Sequence, residues 1–573
     1  MRNDAVQLAH QGFVMVSQRN FDAGLPLLKK ALELQPDWPE VLLTIGHVIQ
    51  LQGDVEGGEP YFSKAFEIEP TRPYTQAKLG RIAFWRGNRE EALFHYKAAI
   101  KLSDTPPSPC FVDKVIEPLD QTLRSCYRLI FEILTDNDQF DEMEQFVEEG
   151  CSRFPVAPEL HLAAGSALIA SGSLDKAAEH FKQLAKIPSN PGLVADAGRH
   201  MVLCEWMQKA LRQIVPEAAK AYQAQSRPPF VIGIAVWGQT YVTEFLETYL
   251  QSMTAPGNLP QLAETFDVRI AVVTTAQGRQ QIQESGVEEQ LSAIAAFDYL
   301  LMPAGMVSKT NHGDSSKFIY RTYILGNHVA IAYAQAIGAG VSLSIPDGII
   351  ADGSYGRIAN LVKKTDVEAV FAQAPPVQEE TFLADMALLK DKQDGTICLG
   401  SRELMEMASR HMHPFVEQRI VCPANNDFSL SRSALFWWAP DGLLCHTFHW
   451  HPIYISAQRL ARYSKFRYVS IDGVLPQLLF PDSHDWENIH LVTDTDEFGF
   501  TGTIQADRQF PTTGRPFDVE DYVAYWKNSE QLRDIGRWFF KHPIHLKGFL
   551  PKEISEDQMT YDPNIINQIA GLP

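Results

Sequence analysis

Two carboxylates stand among glycines in the stretch LSIPDGIIADGSYGRI, which spans residues 343–358. Asp347 directly follows a short apolar run that is typical of a buried strand, and Asp352 comes five residues later. In open α/β sheets, ligands bind just beyond the carboxyl ends of strands, which is where we expect Asp347 to lie. The sequence therefore predicts that Asp347 binds a ligand or a metal ion. Asp352 either caps the following helix, as Ser354 also could, or joins Asp347 in binding.

A pair of histidines occurs in the stretch CHTFHWHPIYI, residues 445–455, whose composition is typical of a strand. Side chains two residues apart on a strand lie on the same face, so His449 and His451 are expected to face one side and Phe448 and Trp450 the other. Imidazoles arranged in this way can share one metal ion. The alternative is that both are buried histidines that bond to the backbone.

A complete Asp-x-Asp motif lies in the stretch NIHLVTDTDEFGFTG, in which Asp494 and Asp496 are followed by Glu497. Three carboxylates at a strand end repel one another unless a cation, a basic side chain or solvent offsets their charge. Hard ions such as Mg²⁺ prefer oxygen ligands of this kind. We interpret Asp494 and Asp496 as candidate catalytic residues, the alternative being a solvated acidic turn. Asp472, in YVSIDGVLPQ, is a further candidate with the same strand-end placement.

The sequence lacks the motifs of several other enzyme classes. The chain has no GxGxxG after its first strand, no GxxxxGK[ST] and no GxSxG, which disfavours a dehydrogenase, a P-loop nucleotidase and an α/β-hydrolase. Ser354 has no identifiable base nearby in sequence, which disfavours a serine nucleophile. Metal-assisted hydrolysis by the histidine and aspartate clusters stays open as an enzymatic alternative.

The expected secondary structure changes near residue 228, from helices alone to strands that alternate with helices. The segment SRPPF, residues 226–230, is a plausible linker, because two prolines do not continue a helix. After it, the apolar runs FVIGIAVWG, DVRIAVVTT, FDYLLMP and GVSLSIPD alternate with helical segments. Alternating strands and helices predict a parallel sheet that helices cover on both faces, a Rossmann-like α/β domain over residues 228–573 that includes a C-terminal extension.

The elements of this half follow a particular order. Trp237 ends the first strand, Thr274 lies at the end of the second, and YRTYILGNHVAIAYAQAIGAGVSLSIPD leads through a helix and a strand to Asp347. In this order, residues 228–505 resemble the nucleotide-sugar glycosyltransferases of the GT-A class. That class carries an acidic metal-binding motif, commonly Asp-x-Asp, at the end of such a strand, where Asp347 stands. Position 349 is Ile instead of a second Asp, so the motif is incomplete.

The resemblance implies a set of roles for the candidate residues. It implies a nucleotide-sugar donor, a divalent cation, Mn²⁺ or Mg²⁺, that neutralises the departing diphosphate, and a late histidine that completes the metal shell. The donor site would contain Trp237, Gly238, Thr274 and Asp347, and the metal site Asp347, His449 and His451. Asp494 and Asp496 come too late in the domain to be the usual metal motif of the class, so we interpret them as the catalytic residues that activate or orient the acceptor.

The first third of the chain is an internal repeat. Three glycines recur every 34 residues, at 12, 46 and 80, as do three alanines at 31, 65 and 99, and the spacing returns around residues 163–187. The pattern resembles the tetratricopeptide repeat, in which small residues let two helices of a hairpin approach closely. We expect an α-solenoid of about five repeats over residues 1–225. Its groove would hold a protein or peptide, although a dimerisation role stays open.

Composition limits the classes of partner. A chain of 573 residues is expected to form roughly two to four domains. The net charge of -20 argues against binding to nucleic acid or anionic membranes. We expect no membrane span, no signal peptide and a cytoplasmic location with reduced cysteines.

Together these features predict a glycosyltransferase whose repeats recruit a protein acceptor. A groove that holds the acceptor beside the donor site would raise its effective concentration. The alternatives are a noncatalytic repeat scaffold with a degenerate transferase domain and a metal-dependent hydrolase. No motif specifies the donor base or the sugar.

Overall fold

The computed structural model divides by packing into two units, one made chiefly of residues 1–201 and one made chiefly of residues 202–573. We call them the repeat unit and the α/β unit. The structure describes residues 2–86, 88–104, 111, 117–306, 315–431, 433–463, 469–527, 534–550 and 558–571.

The repeat unit is built from consecutive helical hairpins, which confirms the predicted helical repeat. The described hairpins are α1 (Arg2–Ser17) with α2 (Phe21–Leu34), α3 (Pro39–Leu51) with α4 (Glu59–Ile68), α5 (Pro73–Trp85) with α6 (Arg89–Leu102), α7 (Leu119–Asp136) with α8 (Phe140–Arg153), and α9 (Pro158–Ser171) with α10 (Leu174–Lys186). Prolines begin α3, α5 and α9, where the missing N–H has no intrahelical partner to lose. Pro36 and Pro70 follow the ends of α2 and α4.

The repeated glycines are explained by close helix packing inside each hairpin. In four hairpins, a glycine on the first helix faces a large apolar residue sixteen positions later on the second helix, so closely that a Cβ would meet its side chain at 2.6 to 2.9 Å. These pairs are Gly12 with Leu28, Gly46 with Phe62, Gly80 with Tyr96, and Gly165 with Phe181. The spacing that is visible in the sequence is therefore a packing requirement.

The division between the two units falls within α11 (Pro191–Lys209). A π-helical turn at Ala210–Ile214 and α12 (Val215–Ala221) follow, and the chain changes from helices to strands at β1 (Pro229–Ala235). The segment that we interpret as a linker lies at this change. Trp206, 2% exposed, donates its indole N–H to the carbonyl of Leu301, so the helices after residue 201 pack as part of the α/β unit.

The α/β unit is organised around a twisted mixed sheet of seven described strands. In chain order they are β1, β2 (Asp267–Thr275), β3 (Ala296–Met302), β4 (Gly340–Ser344), β6 (Ala369–Ala372), β10 (His451–Ile455) and β11 (Ile489–Leu491). Across the sheet their order is β11-β6-β10-β4-β1-β2-β3, and β10 alone runs antiparallel to its neighbours. The first four strands match the four apolar runs of the sequence and pair in parallel, which is compatible with an α/β domain. The prediction of a wholly parallel sheet is wrong, because β10 is inserted antiparallel between β4 and β6.

Two smaller sheets flank this central sheet. The first has the order β5-β12-β7, formed by β5 (Ile349–Ile350), β12 (Phe500–Ile504) and β7 (Pro376–Gln378). The second has the order β13-β9-β8, formed by β13 (Ile544–Lys547), β9 (Gly442–Thr447) and β8 (Ala434–Ala439).

Helices of 4 to 23 residues connect and follow the strands. They are α13 (Gln239–Glu244), α14 (Leu250–Met253), α15 (Leu259–Thr265), α16 (Ala276–Glu284), α17 (Val287–Leu291), α18 (Ser315–Ile337), α19 (Ser354–Lys364), α20 (Glu379–Leu388), α21 (Ser401–Arg410), α22 (Pro414–Glu417), α23 (Ala457–Ala461), α24 (Leu475–Leu479), α25 (Val519–Lys527), α26 (Asp534–Lys541) and α27 (Pro563–Ala570). None of the helices in the described ranges is long and apolar enough to cross a lipid bilayer.

Candidate functional site

The strand order places a topological switch point between β1 and β4. From β1 the chain proceeds to β2 and β3 on one side, and β4 then returns to the other side of β1. Connections that leave neighbouring strand ends in opposite directions open a crevice, where ligands of α/β proteins bind. A cavity of about 800 Å³ lies at this place, lined by residues that follow β1 and residues that follow β4. We call it the switch-point cavity.

The turn after β1 brings an aromatic side chain to the cavity. Trp237 lines it, 5% exposed, and Gly238 precedes the first turn of α13 with φ 83° and ψ 140°. A residue with a side chain rarely adopts this positive φ, so the sharp turn needs glycine. Of the two residues predicted to bind the donor here, Trp237 contacts the cavity and Gly238 shapes its edge.

The turn after β4 carries Asp347, which is half-buried and lines the same cavity. Gly348 follows it, and a Cβ there would lie 2.3 Å from the carbonyl oxygen of Thr501 on β12. The glycine therefore lets β12 pass close behind Asp347 and form one wall of the cavity. Ile349, which stands where an Asp-x-Asp motif was expected to have its second carboxylate, is fully buried in β5 and pairs with Thr501.

A second carboxylate and an imidazole reach the cavity from other parts of the chain. Asp472 and His451 both line it. The Nε2–H of His451 donates to the carbonyl of Leu343 at 2.5 Å, so Nδ1 carries the lone pair of a neutral ring. Burial lowers the pKa of His451, although the bond to Leu343 and the charge of Asp472 oppose this effect. A neutral imidazole in a cavity that two carboxylates also line can accept a proton or bind a cation.

Phenols form another part of the lining. Tyr241 on α13, and Tyr320 and Tyr323 on α18, line the cavity. Burial raises the pKa of Tyr241 and of Tyr323, and the charge of Asp347 adds to this effect. The two phenols therefore stay protonated at neutral pH and can donate hydrogen bonds to phosphate or sugar oxygens.

Among the described residues, the charged side chains of the lining are more negative than positive. Asp347, Asp472 and Asp507 are carboxylates, and Arg508 is the one arginine or lysine that the described part of the chain contributes to the lining. The guanidinium of Arg508 lies 5.2 Å from the ring centroid of Phe510. Because like charges repel, an anionic ligand would bind here together with a cation that offsets the carboxylates.

Two other predicted residues lie away from the cavity lining. Thr274 is fully buried in β2, where its hydroxyl oxygen would meet a Cβ on Gly278 at 2.2 Å. His449 lies between β9 and β10, and its ring packs against Gly473. The prediction that His449 and His451 share one strand face is wrong, because the chain passes from one sheet to another between them. Trp450, in the intervening segment, donates its backbone N–H to the carbonyl of Asp472.

The complete Asp-x-Asp motif lies outside the cavity lining as well. Asp494 forms an ion pair with Lys547, and Asp496 forms ion pairs with Arg402 at 3.0 Å and Lys547 at 3.4 Å. Hydrogen bonds from Arg402 lower the pKa of Asp496, and Lys547 adds to this effect. A carboxylate held as an anion by two cations is a weak base. The catalytic role of Asp494 and Asp496 stays a prediction, and these residues lie outside the lining of the switch-point cavity.

Asp352 does not cap the helix that follows it, so that prediction is wrong. Helix α19 begins at Ser354 after Gly353, which has φ 84° and makes no side-chain cap. One carboxylate oxygen of Asp352 instead accepts the backbone N–H of Gly257 at 2.7 Å, and the other accepts from the thiol of Cys398 at 3.4 Å. Asp352 therefore ties the loop before α15 to the start of α19.

The sequence offered only weak signals for the phenols and for Arg508. Tyr320 and Tyr323 lie three residues apart in YRTYI, a spacing that places both on one helix face. Arg508 lies beyond β12 in a loop without a motif. Asp472 was a candidate on strand-end placement, but the structure places it in a turn.

Comparisons with known proteins find likenesses to solved helical-repeat structures. MamA is 18% identical, over 32% of this chain and 92% of its own, with a TM-score of 0.27. YrrB, described as a TPR protein with an unusual peptide-binding site, is 15% identical over 32% of this chain and 85% of its own, with a TM-score of 0.26. Yeast Tom70 is 16% identical over 39% of this chain and 44% of its own, with a TM-score of 0.31. No protein-family model and no curated protein matches the chain.

Proposed function

We propose that the α/β unit binds a nucleoside-diphosphate sugar in the switch-point cavity and transfers the sugar to a protein acceptor. The observation that carries this proposal is the position of the cavity, beyond the carboxyl ends of β1 and β4 where the strand order reverses. Crevices at such points are where α/β sheets bind nucleotides.

The size and lining of the cavity support this class of ligand. Its volume of about 800 Å³ lies within the usual range for small-molecule and cofactor sites. Trp237 offers an apolar aromatic surface for a base, and the phenols Tyr241 and Tyr323 can donate to hydroxyl or phosphate oxygens. Arg508 can pair with a phosphate at the exposed side.

The carboxylates of the cavity are the ligand type that a hard divalent cation, Mn²⁺ or Mg²⁺, prefers. The ligand atoms of Asp347, Asp472 and His451 do not all lie within 4.8 Å of one another, so a shared ion would have to draw them together. Asp347 and Asp472 offer oxygen ligands on one cavity, which is the donor type that such ions prefer. Asp472 would thereby replace the carboxylate that Ile349 does not supply. When bound, the cation would offset the charge of the departing diphosphate. His451, neutral and with Nδ1 unprotonated, can serve as a further ligand or as the group that accepts the acceptor's proton.

The repeat unit supplies the surface for the acceptor in this proposal. Stacked helical hairpins present an extended concave surface that commonly holds a peptide or protein segment. Recruitment raises the effective concentration of the acceptor near the donor, so a weak catalytic site can modify a chosen partner.

Equilibrium titration with UDP- and GDP-sugars, and with CMP-sugars as a comparison that lacks a diphosphate, tests the donor site with and without Mn²⁺. We expect one nucleotide class to bind in a metal-dependent manner, and Asp347→Asn or Asp472→Asn to weaken that binding about tenfold or more through the lost ligand. Asp366→Asn is the matched control, because it removes the same charge at an exposed position outside the cavity lining. Equal affinities for Asp347→Asn and Asp366→Asn would remove Asp347 from the site.

A noncatalytic scaffold is the second candidate, and the buried Ile349 favours it. If the α/β unit is a degenerate transferase, the panel gives no metal-dependent binding while the repeat unit still captures its partner. Metal-dependent binding of a sugar nucleotide, together with transfer of its sugar to the captured partner, would exclude this candidate.

A further inference from the structure

A second cluster of metal-ligating side chains lies in the repeat unit, far along the sequence from the residues of the switch-point cavity. Cys151 on α8, His161 on α9 and His180 on α10 each place one ligand atom within 4.8 Å of the other two. Cys151 and His161 are buried, 7% and 5% exposed, and His180 is half-buried. In the described part of the chain this is the single cluster of three such groups.

The hydrogen bonds of His161 prepare it to bind a metal ion. Its Nε2–H donates to the carbonyl of Pro155 at 3.1 Å, which leaves the lone pair on Nδ1. Metal-bound histidines commonly donate their second N–H to a backbone carbonyl in this way, because the bond fixes the ring orientation and the tautomer. The bond to Pro155 thus provides the outer support that a metal site requires.

The distance between the two rings also fits a tetrahedral ion. Nδ1 of His161 and Nδ1 of His180 are 3.0 Å apart. Two nitrogens bound to zinc at about 2.0–2.1 Å in a tetrahedron lie about 3.3 Å apart, so the rings need to separate only slightly. In the metal-free protein the Nδ1–H of His180 donates to Nδ1 of His161, and tautomerisation to Nε2–H would free that nitrogen for an ion.

We propose that Cys151, His161 and His180 bind one zinc-class ion that fastens helices α8, α9 and α10 together. A thiolate and two imidazoles are the ligands that Zn²⁺ prefers, and a fourth position stays available for water or another ligand. Binding releases one proton from the thiol of Cys151, while the proton of His180 moves between its own ring nitrogens. The half-buried side of His180 gives the ion a route into the cluster.

Titration of the full chain with Co²⁺ tests this site, because a cobalt–thiolate bond has a characteristic charge-transfer absorption. We expect one Co²⁺ per chain to produce that absorption and Zn²⁺ to abolish it by displacement. Cys151→Ala should remove the absorption, and His180→Gln should weaken binding about a hundredfold or more. Cys398→Ala, which removes an exposed cysteine of the α/β unit, should leave the absorption unchanged.

Thermal unfolding provides a second readout. Zn²⁺ should raise the unfolding midpoint of the full chain, EDTA should reverse the rise, and His180→Gln should abolish it. If Cys151→Ala does not fold, His180→Gln decides the test alone, since its side chain is only half-buried. The proposal is overturned if the unaltered chain gives no thiolate absorption, or if folded Cys151→Ala or His180→Gln binds Co²⁺ as tightly as the unaltered chain.

Discussion

The close packing of Gly165 on Phe181 predicts a measurable cost for a single added methyl group. A Cβ at position 165 would lie 2.6, 2.7 and 2.9 Å from three ring atoms of Phe181. That ring is fully buried and stacks on His200, with the two ring centroids 5.0 Å apart, so it has little room to retreat. Gly165→Ala should therefore force apart α9 and α10.

The magnitude follows from two opposing effects. Overpacking of a core position costs about 1–3 kcal/mol of unfolding free energy. Replacing glycine by alanine in a helix returns up to about 1 kcal/mol. Gly198→Ala is the matched control, because Gly198 lies in helix α11 and a Cβ there meets nothing within 4 Å. We expect Gly198→Ala to stabilise by about 0.5–1 kcal/mol.

Urea unfolding followed by far-ultraviolet circular dichroism measures both variants against the unaltered chain. The helix-propensity gain is common to both, so the difference between them isolates the packing cost, about 1–3 kcal/mol. If Gly165→Ala is as stable as Gly198→Ala, the glycine repeat does not reflect hairpin packing and this explanation of the 34-residue pattern fails.

Three further predictions concern the α/β unit. Gly348→Ala should weaken donor binding while the fold survives, because its Cβ would displace β12 at Thr501, between the lining residues Phe500 and Gly502. Unchanged affinity in titration would contradict this prediction. Burial lowers the pKa of His446 to about 4, so between about pH 6.5 and 4 the unfolded chain binds an extra proton and the folded chain loses stability as the pH falls. His446→Asn should reduce the slope of unfolding free energy against pH, measured by urea unfolding, by about 1 kcal/mol per pH unit. Equal slopes for the variant and the unaltered chain would show that the pKa of His446 is not lowered. A chain that starts at Pro228 lacks α12, which packs against α18 and β3, and should therefore melt at a lower temperature than a chain that starts at Pro191. Equal melting temperatures of the two chains would show that the packing of α12 adds no stability.

The fold followed closely from the sequence where packing leaves a periodic or continuous pattern. Glycines such as Gly46 and Gly80 recur because each faces a ring on the paired helix. Strands β1, β2 and β4 are nearly continuous apolar runs and are buried along almost their whole length, as strands inside a parallel sheet usually are. The position of Asp347 just after β4 was predictable for the same reason, because the end of a parallel strand can be located from the end of its apolar run. Its role as a ligand stays a prediction.

The remaining site residues depend on long-range packing that local sequence does not encode. A strand-like run such as residues 445–455 gives no sign that it divides between two sheets, so His449 and His451 could not be separated in advance. Asp352 has the composition of a helix cap, but the chain uses it to hold Gly257, 95 residues away. Cys151, His161 and His180 come together only because three successive helices pack side by side.

Hydrogen exchange with the sugar nucleotide that the titration identifies is the most direct test of the central claim, because it locates the ligand without altering the protein. Bound donor with Mn²⁺ should slow exchange of amides in residues 235–241, 343–350 and 500–509, which line or adjoin the switch-point cavity. Amides in residues 493–497 and 544–547, around the ion pairs of Asp494 and Asp496, should exchange as in the free chain. Protection of these last segments, with no change around Asp347, would contradict the assignment and move the donor site to the complete Asp-x-Asp motif.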